Sequence, residues 1–177
     1  MVVFLAAVIL SICASPYLVT YKFGLAIQEK DEHAVNEQIR YPVLQRNLKE
    51  WVTRHFASAE SELNFSQRFM KNSIIGFIDS HVQPERMADL LHGRNMEQVE
   101  LFIRLSGVQT SSESNVDIND FYVSGRGYEG VNRFTVYLSD TNRPIMKLIF
   151  TRHSVINWKM TDILLVSVNT QSVKVIH

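Results

Sequence analysis

A chain of 177 residues carrying 18 basic and 18 acidic side chains, with 46% hydrophobic residues, has the size and composition of one ordinary folded domain. Its zero formal charge argues against nucleic acid as a partner and supplies no polybasic patch for anionic lipid. Its single cysteine, Cys13, lies in an apolar run at the amino end, so the rest of the chain has no internal disulfide, thiol nucleophile or cysteine-based metal site.

That run, Met1 to Tyr21, precedes the first Lys or Arg, which is Lys22. Roughly twenty residues at about 1.5 Å each would cross a hydrocarbon core of about 30 Å as a helix. Three readings compete: an uncleaved anchor, a cleaved secretory signal and a buried core helix. A signal needs a basic n-region, which is missing here, and Pro16 follows the Ser15 that would be the cleavage point. A lipoprotein needs a small residue just before its cysteine, where this chain has Ile12. The anchor is therefore the favoured reading, with Ser15-Pro16 starting a new helical segment at the membrane boundary. Lys22, Lys30 and Arg40 on the carboxyl side would, by the positive-inside rule, keep that side in the cytoplasm. The absence of basic residues ahead of the anchor leads to the expectation that the natural start lies upstream. Basic residues there would reverse the orientation.

From Tyr17 a helical pattern follows, with Leu18, Tyr21 and Leu25 on one face, and Tyr17–Gln28 continues the anchor as the first helix of the domain. Asp31 is placed to cap a helix over His33–Ile39. Tyr41-Pro42 starts a third, with Pro42 as its first residue and Val43, Leu44, Leu48, Trp51, Val52 and His55 as its apolar stripe. After a polar joint over Ala57–Asn64, a fourth helix spans Phe65–Val82, buried through Phe69, Met70, Ile74, Phe77, Ile78 and His81. Pro84 opens a fifth that Gly93 terminates, Glu97–Leu105 is a further helix or a strand, and Gln109–Asn119 is a loop.

Beyond the loop the period drops to two. Phe121–Ser124 leads into Gly125, Gly127 and Gly130, read as bends and a turn. Phe134, Val136 and Leu138 alternate with polar residues, as do Met146, Leu148 and Phe150 after the turn Asp140–Pro144. His153-Ser154 turns the chain into a strand alternating through Ile156, Trp158 and Met160 and extended by Ile163 and Leu165. The fold class expected is α+β: amino-terminal helices packed on a carboxyl-terminal antiparallel β-meander with one covered face. The domain organisation is an anchor over 1–21 and a single domain over 22–177, with helices to about 105 and strands over about 120–168.

Several stretches resemble one family: Ser15-Pro16-Tyr17, Ala26–Asp31, Tyr41–Lys49 and Val82–Gly93. It is the bacterial domain-of-unknown-function family numbered twenty-nine thirty-nine, of small, mostly proteobacterial proteins with an amino-terminal hydrophobic segment. The resemblance covers nearly the whole chain from Ser15, including a final strand pair like Leu148–Leu165. Arg40 stands where members often have an acidic residue, and the family's basic amino-terminal residues are missing. The family implies no established activity. The order of helices then meander also resembles the cone-shaped nuclear transport factor two-like or cystatin-like folds, an analogy that supports no particular function.

No catalytic or cofactor motif stands out. The histidines at 33, 55, 81, 92, 153 and 177 lack HxxxH or HExxH spacing; His55 and His81 read as core or boundary residues and His92 as a helix-end cation. Nothing resembles a GxSxG elbow. Gly125–Gly130 has the wrong spacing and context for a dinucleotide loop, and Asp117, Asn119 and Asp120 lack the rest of a calcium loop. The candidate pocket on the sheet consists of Tyr122, Tyr137, His153, Trp158 and Asp162, aromatic and polar groups of the kind a small-molecule site uses, with Trp158 equally read as core. The expectation is a non-enzymatic module, without metal or cofactor, anchored in the inner membrane by one amino-terminal span and facing the periplasm. It would bind a protein or envelope partner. The alternatives are an enzyme or small-ligand binder using a pocket between helices and sheet, and an accessory role on the cytoplasmic side.

Overall fold

The computed structural model describes residues 1–57, 65–91, 122–140 and 143–165. Within them the order is α1 (Val2–Gln28), α2 (Glu32–Glu37), α3 (Tyr41–Ala57), α4 (Phe65–His81), α5 (Pro84–Leu91), then β1 (Tyr122–Gly130), β2 (Arg133–Asp140), β3 (Arg143–Arg152) and β4 (Trp158–Leu165). The strands form an antiparallel meander in chain order. The α+β architecture is as expected.

Helix α1 runs unbroken through Pro16, where a restart was expected. Pro16 has no N–H for the carbonyl of Ile12, and the Ser15 hydroxyl donates to that oxygen instead, at 2.7 Å. Local chemistry thus repairs the gap that would otherwise bend or end the helix. Lys30, in the left-handed region at φ 57°, turns the chain after α1. Asp31 then caps α2 by accepting from the Ala34 N–H at 3.0 Å, as its position predicted.

The joint between α2 and α3 lies along β4 like a fragment of a fifth strand. Met160 N–H donates to the Gln38 carbonyl at 2.7 Å, and Arg40 N–H donates to the Met160 carbonyl at 2.9 Å. This covers a sheet edge that would otherwise present unpaired backbone. Helix α3 buries Leu44, Leu48 and Val52, while Asn47 donates through Nδ2 to the Thr161 carbonyl at 2.9 Å. Tyr41 donates to the Asn36 side chain, and burial followed by the charge of Glu85 pushes its hydroxyl well above the usual range.

Helix α4 buries Ile74 and Ile78, but Phe69 is 66% exposed, against expectation. The packing stripe follows Met70, Ile74 and Ile78 at four-residue steps, and Phe69 sits about 100° off it. His55 is exposed and stacked on Trp51, and His81 is half-buried and stacked on Phe77. The expected segments at 58–64, 92–105 and 109–119 lie outside the described residues.

Strand β1 continues through Gly125, Gly127 and Gly130 rather than bending away at them. The irregularity appears as register shifts between Val123 and Gly125 and between Tyr128 and Gly130, and the turn itself is Val131-Asn132. Ile156, expected in a strand, lies in the turn after β3 and is 60% exposed. Hydrogen bonds from the His153 and Ser154 N–H groups to the Asn157 carbonyl close that turn, so pairing resumes only at Arg152 with Trp158.

Phe134, Val136, Leu148, Phe150, Trp158 and Met160 form the helix-facing side of the sheet and the centre of the core, joined there by Phe23 and Ala26 of α1. The other side is not uniformly open: Thr135 and Ile149, opposite each other in register, are also buried. A shift between Ile149 and Phe150 makes Thr161 an extra residue in β4 and sets Asp162 opposite Ile149, on this second face.

Candidate functional site

The two ends of α1 have different surroundings, and the place where they meet is the most distinctive site among the described residues. Leu10 is 69% exposed, and Val3, Phe4, Leu5 and Ile9 are exposed with it. From Ser15 onward the same helix enters the core through Ser15, Pro16, Thr20, Phe23 and Ala26. Leu18 and Tyr21 on its outer side remain exposed until the first charge at Lys22.

Sheet and helix are tied by two hydrogen bonds. The Trp158 indole N–H donates to the Ser15 hydroxyl oxygen at 2.9 Å, inside the core. The Ser15 hydroxyl in turn donates to Ile12, so one side chain both repairs the helix at Pro16 and anchors the sheet. The Tyr128 hydroxyl donates to the Cys13 carbonyl at 2.9 Å. Tyr17 meets Phe134 edge-on at 4.8 Å and Phe23 meets Phe150 at 5.5 Å; Phe134 and Phe150 are paired in register, so these contacts carry α1 across from one strand to the next. Burial pushes the Tyr128 hydroxyl above its ordinary value. Tyr128 carries no local signal in the sequence, and Ser15-Pro16 signals a boundary there, whereas the role of Ser15 comes from Trp158, which is 143 residues away.

Of the five residues proposed for a pocket, the structure places Trp158 in the core on the helix-facing side, with Arg152 over its ring at 4.5 Å. Tyr137 and Asp162 belong to the opposite side, Tyr122 is exposed at the start of β1, and His153 is exposed in the turn after β3. Tyr137 donates to Glu129 at 3.3 Å, within a polar group where Lys147 and Arg133 also meet Glu129, at 2.5 and 3.1 Å. Hydrogen bonding from Lys147 is the main cause holding the Glu129 carboxyl below its usual range. Asp162 accepts from the Ile163 N–H at 2.9 Å, and burial raises its carboxyl above the ordinary value despite Arg133 and Arg54 nearby.

An open groove runs along α3, lined by Pro42, Gln45, Arg46, Lys49, Glu50, Thr53 and Arg54, and includes none of the five. Among the described residues, no three His, Cys, Asp or Glu side chains are gathered so as to hold a metal ion.

Residues 5–90 match the family model described as Protein of unknown function (DUF2939). The match covers the helical part of the chain. The match begins inside the exposed part of α1 and ends in α5. It thus starts earlier than the resemblance read from Ser15 and does not reach the sheet. No curated protein and no solved structure matches the chain. The DUF2939 match takes in α1 on both sides of the junction, so the apolar part and the packed part fall within one family unit. Helix α1 is long and apolar enough to cross a membrane, or to be a signal sequence.

Proposed function

We propose that this protein is a non-enzymatic interaction module held at the surface of the bacterial inner membrane by α1, with its α+β domain on the periplasmic side, where it binds a protein or envelope partner. One observation carries the reading: a single helix exposes an uncharged apolar surface at one end and supplies core residues at the other. As a cleaved signal, α1 would lose Cys13 and Ser15, and with them the bonds to Tyr128 and Trp158, so retention of the helix is the arrangement that keeps the domain intact. A domain attached without a free tether stays within a few ångströms of the lipid, which suits a partner that is itself in or on the membrane.

The test combines location and partner. Full-length protein is expected to remain in the membrane pellet after alkaline carbonate, to be released by detergent, and to be digested by protease added to intact spheroplasts. Release by carbonate overturns the anchor, and protection in spheroplasts moves the domain to the cytoplasmic side. Crosslinking in membranes should then recover a partner, and recovery of no protein, lipid or glycan overturns the interaction role.

A second reading, a small-ligand site, draws on Asp162 alone: a half-buried carboxyl with a raised proton affinity is a group that ligand sites use. Saturable binding of a small molecule, lost in Asp162→Asn with the fold retained, would favour it.

A further inference from the structure

Helix α1 gives one side to the domain and leaves the opposite side bare. Its buried positions are Ser15, Pro16, Thr20, Phe23 and Ala26. At about 100° per residue, their mean direction lies about 160° from that of Ala14, Leu18, Tyr21 and Leu25. Leu18 and Tyr21 are 60% and 58% exposed, Ala14 is exposed and Leu25 is half-buried. The stripe continues toward the amino end through Ser11, Ala7 and Phe4, all exposed. From Phe4 to Leu25 its members follow at alternating steps of three and four residues, without a charge among them. That spacing is the seam pattern of a helix packed lengthwise against another helix.

The seam is chemically suited to that use along both of its halves. Ala7, Ser11 and Ala14 are small enough to let two backbones approach closely in hydrocarbon. The Ser11 hydroxyl donates to the Ala7 carbonyl at 2.9 Å, so its polar group is already satisfied within the helix. Below them Leu18, Tyr21 and Leu25 run alongside the folded domain, which packs on the other side of the same segment. Lipid can cover the first half and water wets the second, whereas another helix covers both. Lys22, the first charge, lies about 70° off the seam and stays in water when the seam closes. Phe4, Tyr17, Leu18 and Tyr21 are 76%, 41%, 60% and 58% exposed. With the small residues between them they offer on the order of 500 Å² per copy, taking about 200 Å² for a large side chain in full exposure. Two copies thus bury about 1,000 Å², the area at which specific interfaces begin.

We propose that the occupant of this seam is the α1 helix of a second copy of this chain, paired in parallel. A shared membrane anchor brings two copies to one depth with the same stripe at the same height, which is what a two-fold, self-complementary contact requires. Because the domain occupies the side of α1 away from the seam, the two domains stand on opposite sides of the helix pair and do not collide. The parallel orientation rests on the anchor reading of α1, and the test separates the two.

The test is a cysteine scan of the full-length protein in native membranes, in a Cys13→Ser background; Cys13 meets Tyr128 only through its backbone carbonyl. Single cysteines are placed on the seam by Ser11→Cys, Ala14→Cys and Leu18→Cys. Controls are Leu5→Cys and Ile9→Cys, exposed residues of the same helix that point about 150–170° away from the seam. All five positions are exposed, so the core is untouched. Copper–phenanthroline oxidation is expected to give several-fold more disulfide-linked dimer at 11, 14 and 18 than at 5 and 9. Equal yields at seam and control positions mean random collision and overturn the pairing. Absence of dimer at all three seam positions overturns it as well, whether lipid or a different helix covers the seam. Alkaline carbonate on the same membranes reports the anchor separately. Seam dimers in carbonate-released protein uphold the pairing and overturn the anchor, and protein retained in the pellet without seam dimers does the reverse.

Discussion

The two ends of α1 both carry large apolar side chains, in opposite surroundings. Val3, Leu5, Ile9 and Leu10 are apolar and exposed, whereas Phe23 and Ala26 are apolar and buried in a core they share with Phe150 and Trp158. Hydrophobicity alone does not separate them, since both ends gain by leaving water. What separates them is a partner surface: the sheet covers one end, and at the other the side chains have only lipid to turn to under the proposed reading. A span and a core helix are thus the same chemistry met by different surroundings.

Substitutions at the two ends should therefore have separable effects. Trp158→Ala removes the largest core side chain and should cost about 3–5 kcal/mol of domain stability, read by thermal melting in detergent, with membrane retention unchanged. Loss of retention along with stability would show that the two ends are one cooperative unit. Ile9→Arg should do the reverse, opposing membrane insertion by about 3 kcal/mol while leaving the melt of the detergent-solubilised domain as it was. A large drop in that melt would mean that the exposed end contributes to the fold.

Ser15→Ala acts on the boundary itself. It leaves the Trp158 N–H and the Ile12 carbonyl without the hydroxyl, and should cost about 1–3 kcal/mol in the same melt. An unchanged melt would mean that the two ends are joined by apolar contact only.

The far side of the sheet serves as the control belonging to neither end. Asp162 has a carboxyl raised by burial, so its folded form binds the proton more tightly than the unfolded chain does. Its contribution to stability is full below the ordinary aspartate range and falls as pH rises through the raised value. Asp162→Asn should therefore lessen that loss, giving a slightly higher melting temperature than wild type at neutral pH and a difference that shrinks on acidification. Glu129 runs the other way: its lowered carboxyl adds stability above the ordinary glutamate range, which is lost as pH falls through the depressed value. Glu129→Gln, touching a partly exposed ion pair, should cost less than about 1 kcal/mol at neutral pH.

Local rules carried much of the fold. Asp31 as a cap, the stripe Leu44–Leu48–Val52, and the alternation of Phe134–Val136 and Leu148–Phe150 each depend on neighbours within one or two turns, and each could be read directly. Phe69 and Ile156 could not, because each differs from a buried residue only by where a packing stripe or a strand happens to begin. The candidate pocket failed to gather for a related reason. Trp158 and Asp162 are four residues apart and would share a face in a regular strand, but the extra Thr161 moves Asp162 to the opposite side.

The apolar run before Lys22, the change of period from 3.6 to 2 and the absence of a catalytic signature are properties of the residues themselves, and they sufficed for an α+β protein with a membrane-competent helix. The division of that helix at Ser15 comes from pairings between positions more than a hundred residues apart. Hydrophobicity and periodicity are local sums along the chain, whereas the surface that ends up opposite a given side chain is chosen only when sheet and helix close on each other.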